Sequence, residues 1–525
     1  MERLRGKILL LLLPVIAAVF AVFPLTDTDI WWHLACAREW VTTWTPVREP
    51  VVNVHEYFQQ VVYAVYGAAG AQGLVFFKAL LWGTVFALFM NPFSDSRRNV
   101  SMAGICVAAL LLFLFRYQFE MRPIVFSLLF LGIYWNVIPW LAMGYDDRKK
   151  RWLAAIGILC LQWIWCRCQG LYILGPIFAL ATIVVYFDRN NLDRLALLAL
   201  FVLALFGMPF LHRDGLLLAV YPFELLNRLV GLSPSATIFA KEIAENRSPL
   251  TLLLEGENVW TSLLMIVCSM AGLAYVIKQF VGMFRSKTLR NEDSLLKLVV
   301  LCATAILALL AERNFVLYLP VFLCFLGDVK LWNAPVLAKP AVKLVAVMVV
   351  MFVLGLWLRS LQAYDGSMVS FQRVPVRAAQ WMKENPHKGR LFNDDRAGGY
   401  LAFVNPQDST YIDGRFILKT ADFFDQYLHF AEDPSAFIRY ADSAGIDRTI
   451  FPLRYYARWE KLINALGQTY LDRAAPGLES RVGRGAWLPV YKDDDYVIFD
   501  YDVFSMDSNP FRWDNRRYFT PDFAF

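Results

Sequence analysis

Charge is scarce in this sequence: 18% of its 525 residues are Asp, Glu, Lys or Arg, against 58% that are hydrophobic. Soluble domains carry about a quarter charged residues, so the balance points to the bilayer. A formal net charge of +6 is too small to suggest nucleic acid as a partner. Phosphate-binding signatures are missing as well: there is no Gly-x4-Gly-Lys-Ser/Thr loop and no Gly-x-Gly-x-x-Gly. His-Glu-x-x-His and Gly-x-Ser-x-Gly are also absent. Together these absences exclude a nucleotide-fuelled engine, a zincin and a nucleophile-elbow hydrolase. No series of intramembrane arginines suggests a voltage sensor. The eight cysteines contain no Cys-x-x-Cys pair, and Cys166 and Cys168 are too close for an easy disulfide. Residues 359–525 hold no cysteine and no membrane-length apolar run, and no internal repeat appears anywhere.

What is present is a series of apolar runs, near 7–25, 72–91, 100–115, 123–143, 152–168, 171–187, 194–210, 258–278, 295–311, 315–328 and 341–358. Most approach the length needed to cross a hydrocarbon core of roughly 30 Å. The expected fold class is a mainly α polytopic membrane protein of about eleven spans, followed by a mixed α/β extracytoplasmic domain. The first run ends in Phe23-Pro24-Leu25-Thr26-Asp27 without a small-residue cleavage site, so it reads as an uncleaved helix. Basic connections at the N-terminus, Arg97-Arg98, 148–151, 188–194, 278–290 and 330–343 all fall on one face when the spans alternate. The positive-inside rule makes that face cytoplasmic and places the C-terminal domain outside. The expected division is 1–358 for the membrane domain, with outer loops 26–60 and 211–257, and 359–525 for the soluble domain. Ile30, Leu34, Ala37, Val41 and Trp44 predict an amphipathic surface helix in the first loop, and 216–230 predicts another. In the C-terminal part, helices are predicted at 374–385, 421–443 and 453–466, with strands at 390–393, 410–413, 449–452 and 496–499. Residues 492–495 read as a hairpin turn, and the tail 507–525 is aromatic without periodicity.

The sharpest polar group is Thr26-Asp27-Thr28-Asp29-Ile30-Trp31-Trp32-His33. Asp27 and Asp29 point the same way in extended chain, and Asp29 shares a helix face with His33. Such a group can accept a proton from an acceptor hydroxyl or ligate a divalent cation, Mg or Mn, through oxygens. The plainer alternative is capping of the helix that follows. Glu120-Met121-Arg122-Pro123 offers a guanidinium for phosphate, or a snorkelling arginine paired with Glu120. Glu312-Arg313-Asn314 sits between two apolar runs, where charge is costly unless it lines a polar cavity. Glu245 heads a further outer-loop motif in which Asn246-Arg247-Ser248 matches a glycosylation sequon. Asn393 to Tyr400 and Asp413-Gly414-Arg415 each follow an expected strand; turn chemistry, with Gly398, Gly399 and Gly414 at positive φ, is the plain account of both.

Leu25 to Leu34 resembles the first outer loop of bacterial membrane proteins related to GT-C glycosyltransferases, the group of protein mannosyltransferases and oligosaccharyltransferase catalytic subunits. Further matches run in order: Pro46 to Pro50, His55-Glu56, Arg122-Pro123, Glu245 with Pro249, Arg313-Asn314, Asn393 with Gly398-Gly399-Tyr400, and Asp413-Gly414-Arg415. Two departures stand out: Trp165-Cys166-Arg167-Cys168-Gln169-Gly170 replaces Trp-x-Asn-x-His-Gly, and Tyr57-Phe58 replaces Trp-Leu. The resemblance implies transfer of a sugar from a polyprenyl-phosphate-type carrier to a glycan, lipid or protein acceptor outside the cytoplasm of a bacterial inner membrane. It implies Asp27, Asp29 and His33 as catalytic residues, Asp27 and Asp29 also as candidate metal ligands, and Arg122 and Arg313 as phosphate-binding residues. His55, Glu56, Glu120, Gln169, Glu245, Asn314, Asp413 and Arg415 are implied in support. The rival readings are a GT-C-shaped scaffold of an envelope assembly that has lost catalysis, suggested by Arg167 and Gln169, and an O-antigen ligase or polymerase.

Overall fold

A computed structural model describes residues 2–48, 50–91, 102–143, 148–186, 192–232, 234–286, 292–326, 339–362, 366–415, 418–454, 457–474 and 485–502. The Arg97-Arg98 connection, the tail 507–525 and parts of the other basic loops lie outside them. In chain order the helices are α1 (Glu2–Phe20), α2 (Asp29–Arg38), α3 (Glu56–Met90), α4 (Met102–Leu114), α5 (Ile124–Met143), α6 (Arg148–Trp165) and α7 (Leu174–Val185). Then come α8 (Leu192–Gly207), α9 (Gly215–Val230), α10 (Pro234–Glu242), α11 (Pro249–Glu255), α12 (Val259–Ser286), α13 (Glu292–Leu310), α14 (Phe315–Leu326) and α15 (Pro340–Gln362). The C-terminal part holds α16 (Val376–Glu384), α17 (Asp395–Val404), α18 (Ala421–Glu432), α19 (Pro434–Ala444) and α20 (Glu460–Ala474). Its strands are β1 (Arg390–Asn393), β2 (Ile446–Pro452), β3 (Ala486–Lys492) and β4 (Tyr496–Asp502).

The chain forms two compact units. The first comprises Met1–Phe23, Val52–Val61 and Ala68–Gly366; the second comprises Pro24–Val51, Val62–Gly67 and Ser367–Phe525. In the first unit, five helices are long and apolar enough to cross a membrane: Glu56–Met90, Ile124–Met143, Asp193–Leu211, Val259–Met283 and Pro340–Gln362. Shorter apolar helices accompany them, among them Gly104–Leu114, Gly170–Val185 and Leu295–Leu310. α5 is mostly buried, whereas α15 leaves nearly all of its apolar surface outward, as a lipid-facing helix does. α3 starts well ahead of its apolar run, and Gly70 (φ 62°, ψ −157°) breaks it into two helical pieces. Lys78 is fully buried in α3, with Nζ 3.1 Å from the Phe23 carbonyl oxygen and over the Phe23 ring. α9 forms as expected and exposes Leu216, Leu217, Val220, Phe223 and Leu226.

In the second unit a four-stranded sheet runs β1-β2-β4-β3, with β1 parallel to β2 and the other pairs antiparallel. The β3–β4 turn is stapled by Asp493, whose Oδ1 accepts from the backbone N–H of Asp495 (2.8 Å) and Tyr496 (2.7 Å). Phe392 centres the core, with the rings of Tyr411, Phe437, Trp459 and Phe451 at 4.6, 4.7, 5.7 and 5.8 Å. The predicted helix 421–443 is two helices, because Asp433 caps a new one opened by Pro434. Residues 410–413 are not a strand. The Asn393 side chain takes the place of a ladder there, accepting from Tyr411 N (2.8 Å) and donating to Ile412 O (2.7 Å).

The segment from Pro24 is tied into this unit by backbone bonds from Leu25 N to Met368 O (2.9 Å), Trp44 N to Thr410 O (3.1 Å) and Arg48 N to Leu418 O (2.8 Å). α2 departs from the expected amphipathic surface helix. It ends at Arg38, and Ile30 through Cys36 are all buried, so it is a core helix.

Candidate functional site

Three motifs far apart in sequence meet in the second unit. α2 packs on α17 where Gly399 leaves room: a Cβ there would stand 3.1 Å from Trp32 N and 3.2 Å from Thr28 O. A Cβ on Gly414 would stand only 1.9 Å from Asp29 Oδ1, and one on Gly398 1.9 Å from Ile412 O. None of these glycines has positive φ, so turn chemistry is not what they provide. They permit close approach. Asp27 is 5% exposed, and its Oδ1 receives a long 3.4 Å contact from Asp29 N. The N-cap of α2 is Thr28, in helical conformation and with no capping side-chain bond, so capping does not account for the two carboxylates. Asp29 accepts from Trp32 Nε1 at 3.1 Å, and the buried His33 ring lies 3.6 Å from that of Trp32.

Asp413 and Arg415 form a buried pair: Nε donates to Oδ1 at 3.0 Å and Nη2 to Oδ2 at 2.5 Å. Arg415 also reaches Cys36 Sγ (3.3 Å) and lies over the rings of Trp40 and Trp32. Burial alone would raise the Asp413 carboxyl; the charge and hydrogen bonds of Arg415 outweigh it and hold it below the ordinary range. Lys419, which the sequence reading did not single out, is buried among oxygens of Thr43, Thr45 and Pro46 at 2.6–3.2 Å. Burial pushes its ammonium down to about 8. Lone Lys419 had no motif around it, since its partners lie in another loop.

The first unit holds two polar clusters. In one, the 3-10 turns Ala244–Asn246 and Glu312–Asn314 pack together beside the segment that leads into α5. Arg122 Nη1 donates to both oxygens of Glu245, at 2.9 and 2.8 Å. Arg313 Nη1 donates to Asn246 Oδ1 at 2.9 Å. Burial would raise the Glu245 carboxyl, but the charges of Arg122 and Arg313 bring it down to about 2. That side chain is 44% exposed, so solvent screens the attraction. Glu312 is 8% exposed; burial and the neighbouring Glu245 push its carboxyl up to about 7, against the pull of Arg247. Asn246 is itself buried, its Nδ2 bonded to Phe239 O (3.1 Å), which removes it as a glycosylation acceptor. Asn314 donates to Leu307 O (3.0 Å) and thereby closes α13.

The other cluster centres on Arg167, whose side chain is almost fully buried. It binds Asp214 (2.6 Å), Glu56 (3.4 Å) and Asn53 O (3.2 Å). His55 Nδ1 lies 3.2 Å from Cys168 O, and burial lowers this imidazole to about 4, so it is neutral at neutral pH. Gln169, where the resembling pattern has histidine, caps a short turn by accepting from Leu171 N, and it accepts from Ser127 Oγ at 3.1 Å. Among the described residues no group of three or more His, Cys, Asp or Glu side chains is placed to hold a metal ion.

No protein-family model matches the chain, and no curated protein matches it. Solved structures do. The archaeal oligosaccharyltransferase AglB from Archaeoglobus fulgidus, in complex with an inhibitory peptide and a dolichol-phosphate, superposes with a TM-score of 0.53 at 10% identity, covering 95% of this chain and 74% of that one. The Archaeoglobus fulgidus oligosaccharyltransferase in complex with Zn and sulfate gives 0.51 at 12% identity, covering 94% and 72%. A unit of apolar helices, a small mixed sheet and this coverage together show that the chain shares the fold of these oligosaccharyltransferase structures.

Proposed function

We propose that this protein is a membrane glycosyltransferase that moves a sugar from a polyprenyl-phosphate-type carrier to a glycan, lipid or protein acceptor on the extracytoplasmic face of a bacterial inner membrane. The observation that carries the reading is the meeting of Arg122, bonded to Glu245, and Arg313, bonded to the adjacent Asn246, from separate inter-helix segments. Two guanidiniums set around one anion is the arrangement a phosphate ester needs. Dolichol-phosphate in the AglB complex supports a lipid phosphate as the ligand.

In this reading the acceptor heteroatom bonds to the anomeric carbon as the bond from that carbon to the carrier phosphate oxygen breaks. The acceptor proton passes to Asp27 or Asp29, with His33 in the same helical turn in support. The electron pair leaves on the phosphate oxygen; neutralising it is the part assigned, within the first unit, to Arg122 and Arg313. Asp27 and Asp29 would be the carboxylates to hold a divalent cation, Mg or Mn. Such ions take one or two carboxylates and complete their shell with substrate phosphate and water. It would supply charge neutralisation at the phosphate. Glu56, His55 and Gln169 serve to shape the loop around Arg167, and Asp413 and Arg415 to seat α2.

The scaffold reading is favoured by one observation: Arg167 and Gln169 are both occupied in structural bonds. Arg313→Ala and Arg313→Lys, assayed for binding of an isoprenoid phosphodiester and for sugar transfer, separate the two readings. Phosphate binding requires weaker binding in the Ala variant and partial rescue by Lys, which lacks the paired-donor fork. Unchanged binding in both variants sinks the glycosyltransferase reading.

A further inference from the structure

Glu312 stands out as a buried carboxyl that makes no ion pair among the described residues, although charged groups surround it. Its backbone N–H is fixed on Arg247 O at 3.0 Å, which holds the turn against Ala244–Asn246. From that turn it faces Glu245, which repels a second negative charge, and Arg247 just beyond. Arg247 offers little compensation, because its guanidinium is already gripped by Glu255 and Glu257. From the segment before α5 come Tyr117, which senses both carboxylates, and Arg122, which is committed to Glu245. On its own turn Arg313 is bonded to Asn246. A carboxyl so placed carries its charge at a penalty and a hydrogen at none.

We propose that Glu312 is a further binding residue of the Arg122–Arg313 anion site, entering it in the protonated form and giving its hydrogen to a phosphoryl oxygen of the ligand. The inference rests on the phosphate-binding reading above and adds what that reading lacks, a coupling between ligand and proton. An anion brought up to Arg122 and Arg313 adds negative charge beside Glu312 and tightens its hold on the hydrogen. The empty site at neutral pH holds that hydrogen only part of the time, since burial and Glu245 set the carboxyl at about 7. Binding therefore takes up part of a proton. Affinity is level below about pH 7 and falls as pH rises above it, by up to about tenfold per unit for one linked proton.

The experiment uses the full chain in detergent and a ligand that does not itself titrate: a phosphodiester of one short isoprenoid alcohol and ethanol. Inorganic sulfate is the soluble-anion arm. Calorimetry from pH 6 to 9, in two buffers of different ionisation enthalpy, reads affinity and proton uptake together. The expected result is a falling affinity above pH 7 with net proton uptake in the wild type. Glu312→Gln, which keeps a hydrogen donor without the ionisation, should bind with a flat profile and hold its affinity at pH 9. Glu312→Ala should be flat and weaker than wild type at pH 6. A sulfate response with the same slope identifies a site for soluble anions; a response to the diester alone identifies a lipid phosphate, and either slope supports the role of Glu312. Wild-type binding that is flat with pH, or a slope that survives in Glu312→Gln, overturns the inference and leaves the phosphate-binding reading standing. Absence of saturable binding of either probe at pH 6 overturns both. Proton uptake is read on the wild type, so the test does not depend on the variants folding.

Discussion

Replacing Asp27 and Asp29 by asparagine, singly and together, separates chemistry from architecture because the structure sets different scales for the two. The architectural loss is small. Thr28 caps α2 without a side-chain bond, and an asparagine oxygen at position 27 can still accept the 3.4 Å contact from Asp29 N. A well-formed bond runs from Trp32 Nε1 to Asp29 (3.1 Å). An amide oxygen accepts it too, so exchanging a charged acceptor for a neutral one costs about 1 kcal/mol. The chemical loss is large: a general base contributes about a hundredfold to ten-thousandfold, equivalent to roughly 3–5 kcal/mol of barrier. Product formed from lipid-linked sugar in membranes, at matched protein levels, should fall by two to four orders of magnitude in the variant that removes the base. Thermal unfolding in detergent should move by only a few degrees. Wild-type product from the Asp27→Asn, Asp29→Asn double variant would refute the mechanism and bring the scaffold reading forward.

Two glycine substitutions should behave oppositely. Gly414→Ala meets the movable carboxylate of Asp29, so the chain should fold with a loss of about 1–3 kcal/mol while transfer drops to the level of Asp29→Asn. Gly398→Ala meets the backbone oxygen of Ile412 and should fail to give a folded second unit, read as loss of cooperative unfolding. Lys419 supplies a pH test. Its folded value, about 8, lies below the ordinary 10.5, so the unfolded chain binds that proton more tightly. Stability from this group should therefore rise between about pH 8 and 10.5, and the rise should vanish in Lys419→Met, followed by chemical unfolding. Single-cysteine labelling of intact cells in a cysteine-free background should reach 366–415 from outside and residues near Arg148 only after the membrane is opened. Labelling of both from the same side overturns the topology.

The apolar runs determined by themselves that this chain forms apolar helices, five of those described being long enough to cross a membrane, because satisfying backbone hydrogen bonds in lipid leaves a helix as the solution for a single apolar segment. The start of α18 was legible for a similar reason, since the Thr420 cap acts over a few residues, whereas the break at Asp433 and Pro434 was read through as one helix. The polar motifs were legible as unusual, but their partners were not. Arg122 meets Glu245, and Arg313 meets Asn246, across stretches of chain whose lengths carry no record of the contact. Lys78 was hidden because a single lysine barely alters the hydropathy of a long apolar helix. α2 shows the limit most clearly. Its spacing of Ile30, Leu34 and Ala37 reads as one apolar face, yet Ile30 through Cys36 are all buried. Only tertiary structure could decide that, because the space for α2 comes from Gly399 and Gly414, two positions defined by the side chains they lack.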